Sequence, residues 1–237
     1  MTDEVDHIRQ RYQRRAALPS DRYSFVNPSA FLAAQSLDRA VMSMLLDAEL
    51  TDFAHLRLLE VGCGTGGNLL RFIRWGFDPA NLAGNDLLEE RAAVARSRLP
   101  ASVTIDTIDA STMGAGDFDI VHQSMVLSSI LEDDLQQRVA DAMWRMTAPG
   151  GVVLSYDFVY GNPSNPDVRA VTNRRLRHLF PHGDVHARSV TLAPPIARTL
   201  GDRVATVHAL ERLRPLRTHS LAIIRKPAGE SRGQGSP

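Results

Sequence analysis

The chain has 237 residues, 43% of them hydrophobic and 23% charged, with a formal net charge of zero, a balance that suits one domain with a sizeable core. No stretch approaches the ~18 to 20 consecutive apolar residues of a membrane-spanning helix, and Met1-Thr2-Asp3-Glu4 lacks the basic-then-apolar order of a secretory signal. A cytoplasmic protein without membrane insertion is expected, and the single cysteine, Cys63, excludes an internal disulfide or a cysteine-built zinc site.

In chain order, Asp3 to Ala17 reads as a short polar helix ended by Leu18-Pro19-Ser20. After Asn27-Pro28, Ser29 is the expected N-cap of a second helix, whose Phe31, Leu37, Val41, Met44, Leu45 and Ala48 share one face. Residues 1–55 are thus expected to form an N-terminal helical cap on a main unit spanning residues 56–226. From Leu56, short apolar runs alternate with amphipathic segments: LRLLEV, a glycine-rich turn and NLLRFIRW; NLAGND and LLEERAAVARSRL; SVTIDTI; FDIVHQ and EDDLQQRVADAMWRM; GVVLSYDF. Strands alternating with helices predict a mainly parallel sheet covered on both faces, an α/β Rossmann-like architecture. VATVHAL and THSLAIIRK are too close for a crossover helix and predict an antiparallel hairpin at the sheet edge. Residues 227–237, rich in Gly, Ser and Pro, are expected to form a disordered tail.

The most informative residues are Glu60-Val61-Gly62-Cys63-Gly64-Thr65-Gly66-Gly67, between the first strand and its helix. Glycines there let the backbone turn tightly and let a ligand approach the N–H groups of the helix N-terminus. The signal alone is ambiguous, because Gly62, Gly64 and Gly67 also have G-x-G-x-x-G spacing and Asp86 follows at the distance of a ribose-binding acid, so an NAD(P)-dependent oxidoreductase stands as an alternative. Two acids favour a different ligand. Glu60 would repel a pyrophosphate but suits a cationic ligand with an amino-acid end, and Asp109 at the third strand's end suits an adenine amino group.

EVGCGTG, GNDLLEERAAVAR, IDASTM, FDIVHQSMVL and MTAPGGVVLSYDF together resemble the successive motifs of class I S-adenosylmethionine-dependent methyltransferases, over roughly Leu56 to Phe158. The resemblance implies a seven-stranded sheet with an antiparallel last strand and S-adenosylmethionine as cofactor. It places Glu60, Gly62, Cys63, Gly64 and Gly66 around the methionine end, Asp86 and Leu87 at the ribose, and Asp109 with Ala110 at the adenine. Gln123 follows the fourth strand as a further cofactor contact, and Tyr12 is similar to a tyrosine on an N-terminal helix that closes over the cofactor. Asn85 departs from the pattern, which usually has an apolar residue before the acid. The C-terminal part resembles uncharacterised bacterial methyltransferases of surface-polysaccharide and small-molecule pathways, which implies O-methylation of a small-molecule or glycan acceptor. A non-catalytic cofactor-binding subunit is a further alternative.

Methyl transfer from a sulfonium is an in-line displacement that needs positioning above all and no metal. Asp157, ending the fifth strand beside Tyr156, is the candidate base for a hydroxyl acceptor; the competing reading has it anchor the next loop through Asn162 and Asn165. From Arg169 to Lys226 there are twelve basic residues against three acids. Arg169, Arg174 and Arg175 therefore become candidates, with Tyr156 and Asn162, for an acceptor site that takes an anionic group; the alternative is a solvated face paired with Glu132-Asp133-Asp134. No nucleic-acid partner is expected. His178, His182 and His186 have helical spacing, but Pro181 and Gly183 interrupt any metal-binding face, and His122 reads as a core histidine.

Overall fold

The computed structural model describes residues 4–16, 24–161 and 166–229. Seven strands, β1 (Leu58–Val61), β2 (Leu82–Asn85), β3 (Thr104–Asp106), β4 (Phe118–Ser124), β5 (Thr147–Phe158), β6 (Asp184–Leu192) and β7 (Arg217–Arg225), form one sheet in the order β3-β2-β1-β4-β5-β7-β6. Strands β1 to β5 pair in parallel, and β7 lies antiparallel between β5 and β6. The Rossmann-like α/β expectation therefore holds, antiparallel last strand included.

Among the described residues, eight α-helices surround the sheet: α1 (Glu4–Ala16), α2 (Pro28–Asp47), α3 (Gly67–Arg74), α4 (Glu89–Arg98), α5 (Asp133–Met146), α6 (Asn173–Leu179), α7 (Pro194–Leu200) and α8 (Val204–Glu211). Successive strand residues face opposite ways, so β1 supplies Leu58 to one core cluster and Leu59 to the other. The first cluster packs Val41, Met44 and Leu45 of α2, Leu69 and Phe72 of α3 and Ala92 and Ala95 of α4 against the sheet. Ile8 of α1, Leu135, Val139 and Met143 of α5 and Leu176 of α6 pack on the opposite face. Helices α1 and α2 thus cover opposite faces. Each fully buried side chain of this size contributes about 1.5–3 kcal/mol.

Three sequence expectations change. Asn27, not Ser29, caps α2: its Oδ1 accepts from the Ser29 N–H (3.1 Å) and hydroxyl (2.8 Å), and Pro28 takes the first helical position, where its missing N–H costs nothing. The buried face of that helix uses Leu32, while Phe31 is exposed. The edge pairing also differs, because VATVHAL is helix α8 and the edge strand is β6. Val204, Val207 and Leu210 recur at three-residue steps, a helical period. Strand β6 alternates exposed Asp184, His186 and Arg188 with Val185 and Ala187, a period-two pattern passed over in the sequence. Residues 230–237 of the expected tail lie outside the described residues, as do Asn162 and Asn165.

Candidate functional site

The carboxyl ends of β1, β2 and β4 and the turn after β3 meet on one side of the sheet, where open α/β folds bind ligands. Strand β1 runs into a loop with Gly62 at φ +67°, Gly64 at +58° and Gly66 at +80°, a left-handed region that costs other residues about 1–2 kcal/mol. Space is restricted as well: a Cβ on Gly62 would lie 2.4 Å from Cγ2 of Val126, in the loop after β4. Gly62→Ala is therefore expected to lower the melting temperature and weaken ligand binding. Adding Val126→Ala should restore part of both; a double variant no better than Gly62→Ala would show that backbone conformation alone is at fault.

Asp86 ties the loops together. Its Oδ2 accepts from the Gly64 N–H (2.8 Å) and its Oδ1 from the Leu88 N–H (3.0 Å), with the Arg91 guanidinium 3.9 Å away. The Cys63 N–H donates to the Asn85 carbonyl (2.8 Å), and the unexpected Asn85 donates through Nδ2 to the Ile108 carbonyl (3.1 Å), fastening the turn after β3. There Asp109 accepts from the Ser111 N–H (2.8 Å).

Between these loops lies a cavity of about 70 Å³, lined by Gly62, Asp86, Leu87, Asp109 and Ala110 and roofed by Val5, Ile8 and Tyr12 of α1. Small-molecule sites run to roughly 300–1,000 Å³, so the cavity is smaller than a nucleoside-sized ligand needs with α1 in this position. The roof is clasped. Glu4 and Arg11 form a buried ion pair (2.7 Å), Arg11 also donates to the Ser129 carbonyl (3.0 Å), and the Leu131 N–H donates to Glu4 (2.9 Å). Burial pushes the Glu4 carboxyl up, but these hydrogen bonds and the charges of Arg11 and His7 outweigh it and hold its pKa below the usual value. On the other flank the Arg91 guanidinium sits 4.7 Å over the Tyr12 ring. Tyr12 was legible in the sequence; Glu4, Arg11 and Arg91 were not, because their contacts with Leu131, Ser129 and Tyr12 join distant parts of the chain.

Glu60 does not line the cavity. It is fully buried on the α3 side of β1, where its Oε1 accepts from Asn68 (2.5 Å) and its Oε2 has no partner. Burial raises its pKa to about 8, against the lowering influence of the Asn68 hydrogen bond and the Arg71 charge. His122, also fully buried, donates from Nδ1 to the Leu154 carbonyl (3.0 Å), leaving an unpartnered Nε2 4.0 Å from Glu60. Burial brings that imidazole down to about 3, so it is neutral. Cys63 is buried too, its thiol pushed up to about 12.

Gln123 and Asp157 face each other inside the protein. Gln123 accepts through Oε1 from the Val126 N–H (2.9 Å) and donates through Nε2 to Ser155 (2.6 Å) and to Asp157. Asp157, only 1% exposed, also accepts from the Ser128 N–H (3.0 Å). Burial lifts its carboxyl to about 6 despite these donors. Both residues are engaged in shaping the loop after β4.

Arg169 and Arg175 converge on Asp133 (2.6 and 2.8 Å) and on Gln136, the acidic-segment pairing, while Arg174 points outward on α6. The Tyr156 hydroxyl bonds Thr191 (2.9 Å), and its ring stacks on His219 at 4.9 Å. His219, passed over in the sequence, stands opposite Phe158 at the end of β5, its pKa lowered to about 4 by burial. His178, His182 and His186 fall in a helix, a turn and a strand.

Residues 58–151 match the model of a methyltransferase domain. The bovine (Bos taurus) tRNA N(3)-cytidine methyltransferase METTL2 is 25% identical over 202 residues, 76% of this chain; the chain spans about half, 53%, of that relative. The N-methyltransferase NodS of Bradyrhizobium japonicum WM9, solved with S-adenosyl-L-homocysteine, superposes with a TM-score of 0.65 at 18% identity, over 95% of this chain and all of that one. A methyltransferase from Mesorhizobium loti gives 0.58 at 19% identity, covering 80% of this chain and 100% of its own. The [4+2]-cyclase SpnF gives 0.58 at 20% identity, covering 82% and 83%. Residues 58–151, which include the glycine loop, thus carry a methyltransferase domain, and the seven-stranded sheet shares the fold of S-adenosylmethionine-dependent methyltransferases.

Proposed function

We propose that this protein methylates a hydroxyl of a small molecule or glycan intermediate in a bacterial biosynthetic pathway, with S-adenosylmethionine as donor. The observation that carries the cofactor's placement is the cavity walled by Asp86 and Asp109 and closed by α1, reached from a glycine loop that Asp86 itself holds. Asp86 and Leu87 would meet the ribose, Asp109 and Ala110 the adenine, and Glu60 with the Gly62–Gly66 turn the methionine end. When bound, the cofactor supplies an electrophilic methyl carbon on a sulfonium. The chain's part is to exclude water beneath α1 and to hold the acceptor in line with that carbon. Asp157, enclosed by Gln123, Ser128 and Ser155, acts as a positioning residue for the loop after β4. His219, opposite Phe158 at the end of β5, is neutral at pH 7, and the burial that lowers its pKa to about 4 makes it a weak base, so no proton transfer is assigned to it.

Titration with S-adenosylmethionine and with NAD(P)H, followed by methyl-label transfer to hydroxylated saccharides, nucleotide-linked sugars and tRNA, tests this reading. Saturable binding of the methyl donor and label on a hydroxyl are expected. Preference for NAD(P)H, or label on RNA, overturns it, and donor binding without turnover on any acceptor points to the non-catalytic or cyclase-like alternative.

Glu60 makes a separate prediction. Its pKa of about 8 means that the carboxyl is mostly protonated at pH 7, and pairing with the ligand's ammonium favours the charged form. Binding should then release about one proton per cofactor, seen as calorimetric heats that vary with the buffer's ionisation enthalpy. Glu60→Gln should bind without that release. Heats independent of buffer in the wild type would remove Glu60 from the ammonium site. The other groups that set this balance, Asn68, Arg71, Asp86 and Arg91, are unchanged in the variant.

A further inference from the structure

A second cleft, of about 460 Å³, opens between α2, β6 and α8, away from the roofed cavity. Arg39, Arg188, Arg212 and Arg217 line it together with Ser36 and Thr191. Their internal neutralisation is incomplete. Glu211 answers Arg39 at 3.8 Å and Asp47 answers Arg188 at 2.6 Å. Arg217 donates only to carbonyls, those of Glu211 and Ser189 (2.5 and 2.8 Å). The Arg212 side chain is exposed and has no hydrogen bond or ion pair among the described residues. Four guanidiniums facing two carboxylates leave the cleft positive in a protein with no net charge.

Thr191 is the second observation. It is a β-branched residue at φ +61°, a conformation such side chains seldom adopt and one that persists only where the surroundings enforce it. The bond between its hydroxyl and the buried Tyr156 hydroxyl holds it there, and the Tyr156 ring stacks on His219. The cleft wall is thereby coupled to the carboxyl end of β5 and the amino end of β7, on the side of the sheet where the loops after β1 and β4 meet.

We propose that this cleft seats an anionic group of the methyl acceptor, a phosphate or carboxylate bound by Arg212 and Arg39 with Arg188 and Arg217 behind them. The chemistry fits, since guanidinium forks match the oxygens of such groups two at a time. The acceptor's body then extends past Thr191 and Tyr156 to the strand ends. The proposal rests on the methyltransferase reading, and it moves the anion site from Arg169 and Arg175, which Asp133 already engages, to arginines that only the folded chain brings together.

The test uses inorganic pyrophosphate as probe, titrated calorimetrically into the full chain at low ionic strength, with S-adenosylmethionine titrated in parallel. Saturable pyrophosphate binding is expected, weakened at least tenfold by Arg39→Ala/Arg212→Ala and by raising the salt to 1 M, with cofactor affinity unchanged by the substitutions. No saturable binding by the wild type, or equal binding by the double variant, overturns the proposal. Retained cofactor affinity in the variant shows that it is folded, and failure of the wild type to bind S-adenosylmethionine at all would instead sink the methyltransferase reading. With methyl label, a phosphorylated sugar should be preferred to its dephosphorylated form; the reverse preference also overturns the assignment. An RNA oligonucleotide that displaces pyrophosphate and itself accepts label would give the cleft to a polymer.

Discussion

Asp86→Ala is expected to weaken S-adenosylmethionine binding by tenfold to a hundredfold and to lower the melting temperature at the same time. The two effects share one cause. The carboxylate accepts from the buried Gly64 and Leu88 N–H groups, so its removal strands two donors and, on the proposed cofactor placement, leaves the ribose hydroxyls without their acceptor. Each charge-assisted hydrogen bond contributes about 1.5–3 kcal/mol, and about 1.4 kcal/mol is a factor of ten in affinity. Asp86→Asn separates the roles only partly, because its amide nitrogen would face one N–H donor with another. Calorimetric affinity and thermal unfolding, measured on both variants, decide the matter. Loss of stability with unchanged affinity would make Asp86 a loop tie and nothing more.

Asp157→Asn should be nearly as damaging, through the fold rather than through proton transfer. In the native protein every neighbour of that carboxylate is a donor: Gln123 Nε2, the Ser128 N–H and the Ser155 hydroxyl. An asparagine NH₂ set against them leaves buried donors unpaired, a loss of about 1–3 kcal/mol each. The variant should unfold earlier and bind the cofactor more weakly, since Val126 and Ser128 frame the loop that roofs Gly62. A variant with wild-type stability and cofactor affinity but turnover about a hundredfold lower would restore Asp157 as the base. Its pKa of about 6, raised from 3.8, fixes a further sign: the folded protein keeps this proton where the unfolded chain has lost it. Its contribution to stability therefore falls as the pH rises from about 4 to about 6 and is constant above that.

What could be read from the sequence was local. Gly62, Gly64, Asp86 and Asp109 stand at strand ends where a turn must be tight and a polar group must face the edge of the sheet, and the structure brings them around one cavity. Strands β1 to β5 were equally plain as short apolar runs between amphipathic segments, although in β3 only Ile105 is buried, between exposed Thr104 and Asp106. The misses have long-range causes. Nothing near Arg169 or Arg175 reveals that Asp133 and Gln136 lie opposite, and nothing near Gln123 reveals Asp157. Strand β6 has a legible period-two pattern, and only its place on the edge beside β7 depends on the fold. The arginine cleft combines α2 with β6, α8 and the start of β7, segments separated by more than a hundred positions, so the local charge excess pointed to an anion without locating it.

The clasp on α1 has a kinetic meaning. Glu4 and Arg11 close the helix onto Ser129 and Leu131, and the space beneath is too small to pass a nucleoside. On the proposed placement of the cofactor beneath α1, its release requires this shielded ion pair to part, an event that depends on no property of the acceptor. In an enzyme built this way, residence time and the ceiling on turnover are set by the first turns of the chain. A good acceptor would show a fast first round followed by slower ones, and a poor acceptor would not.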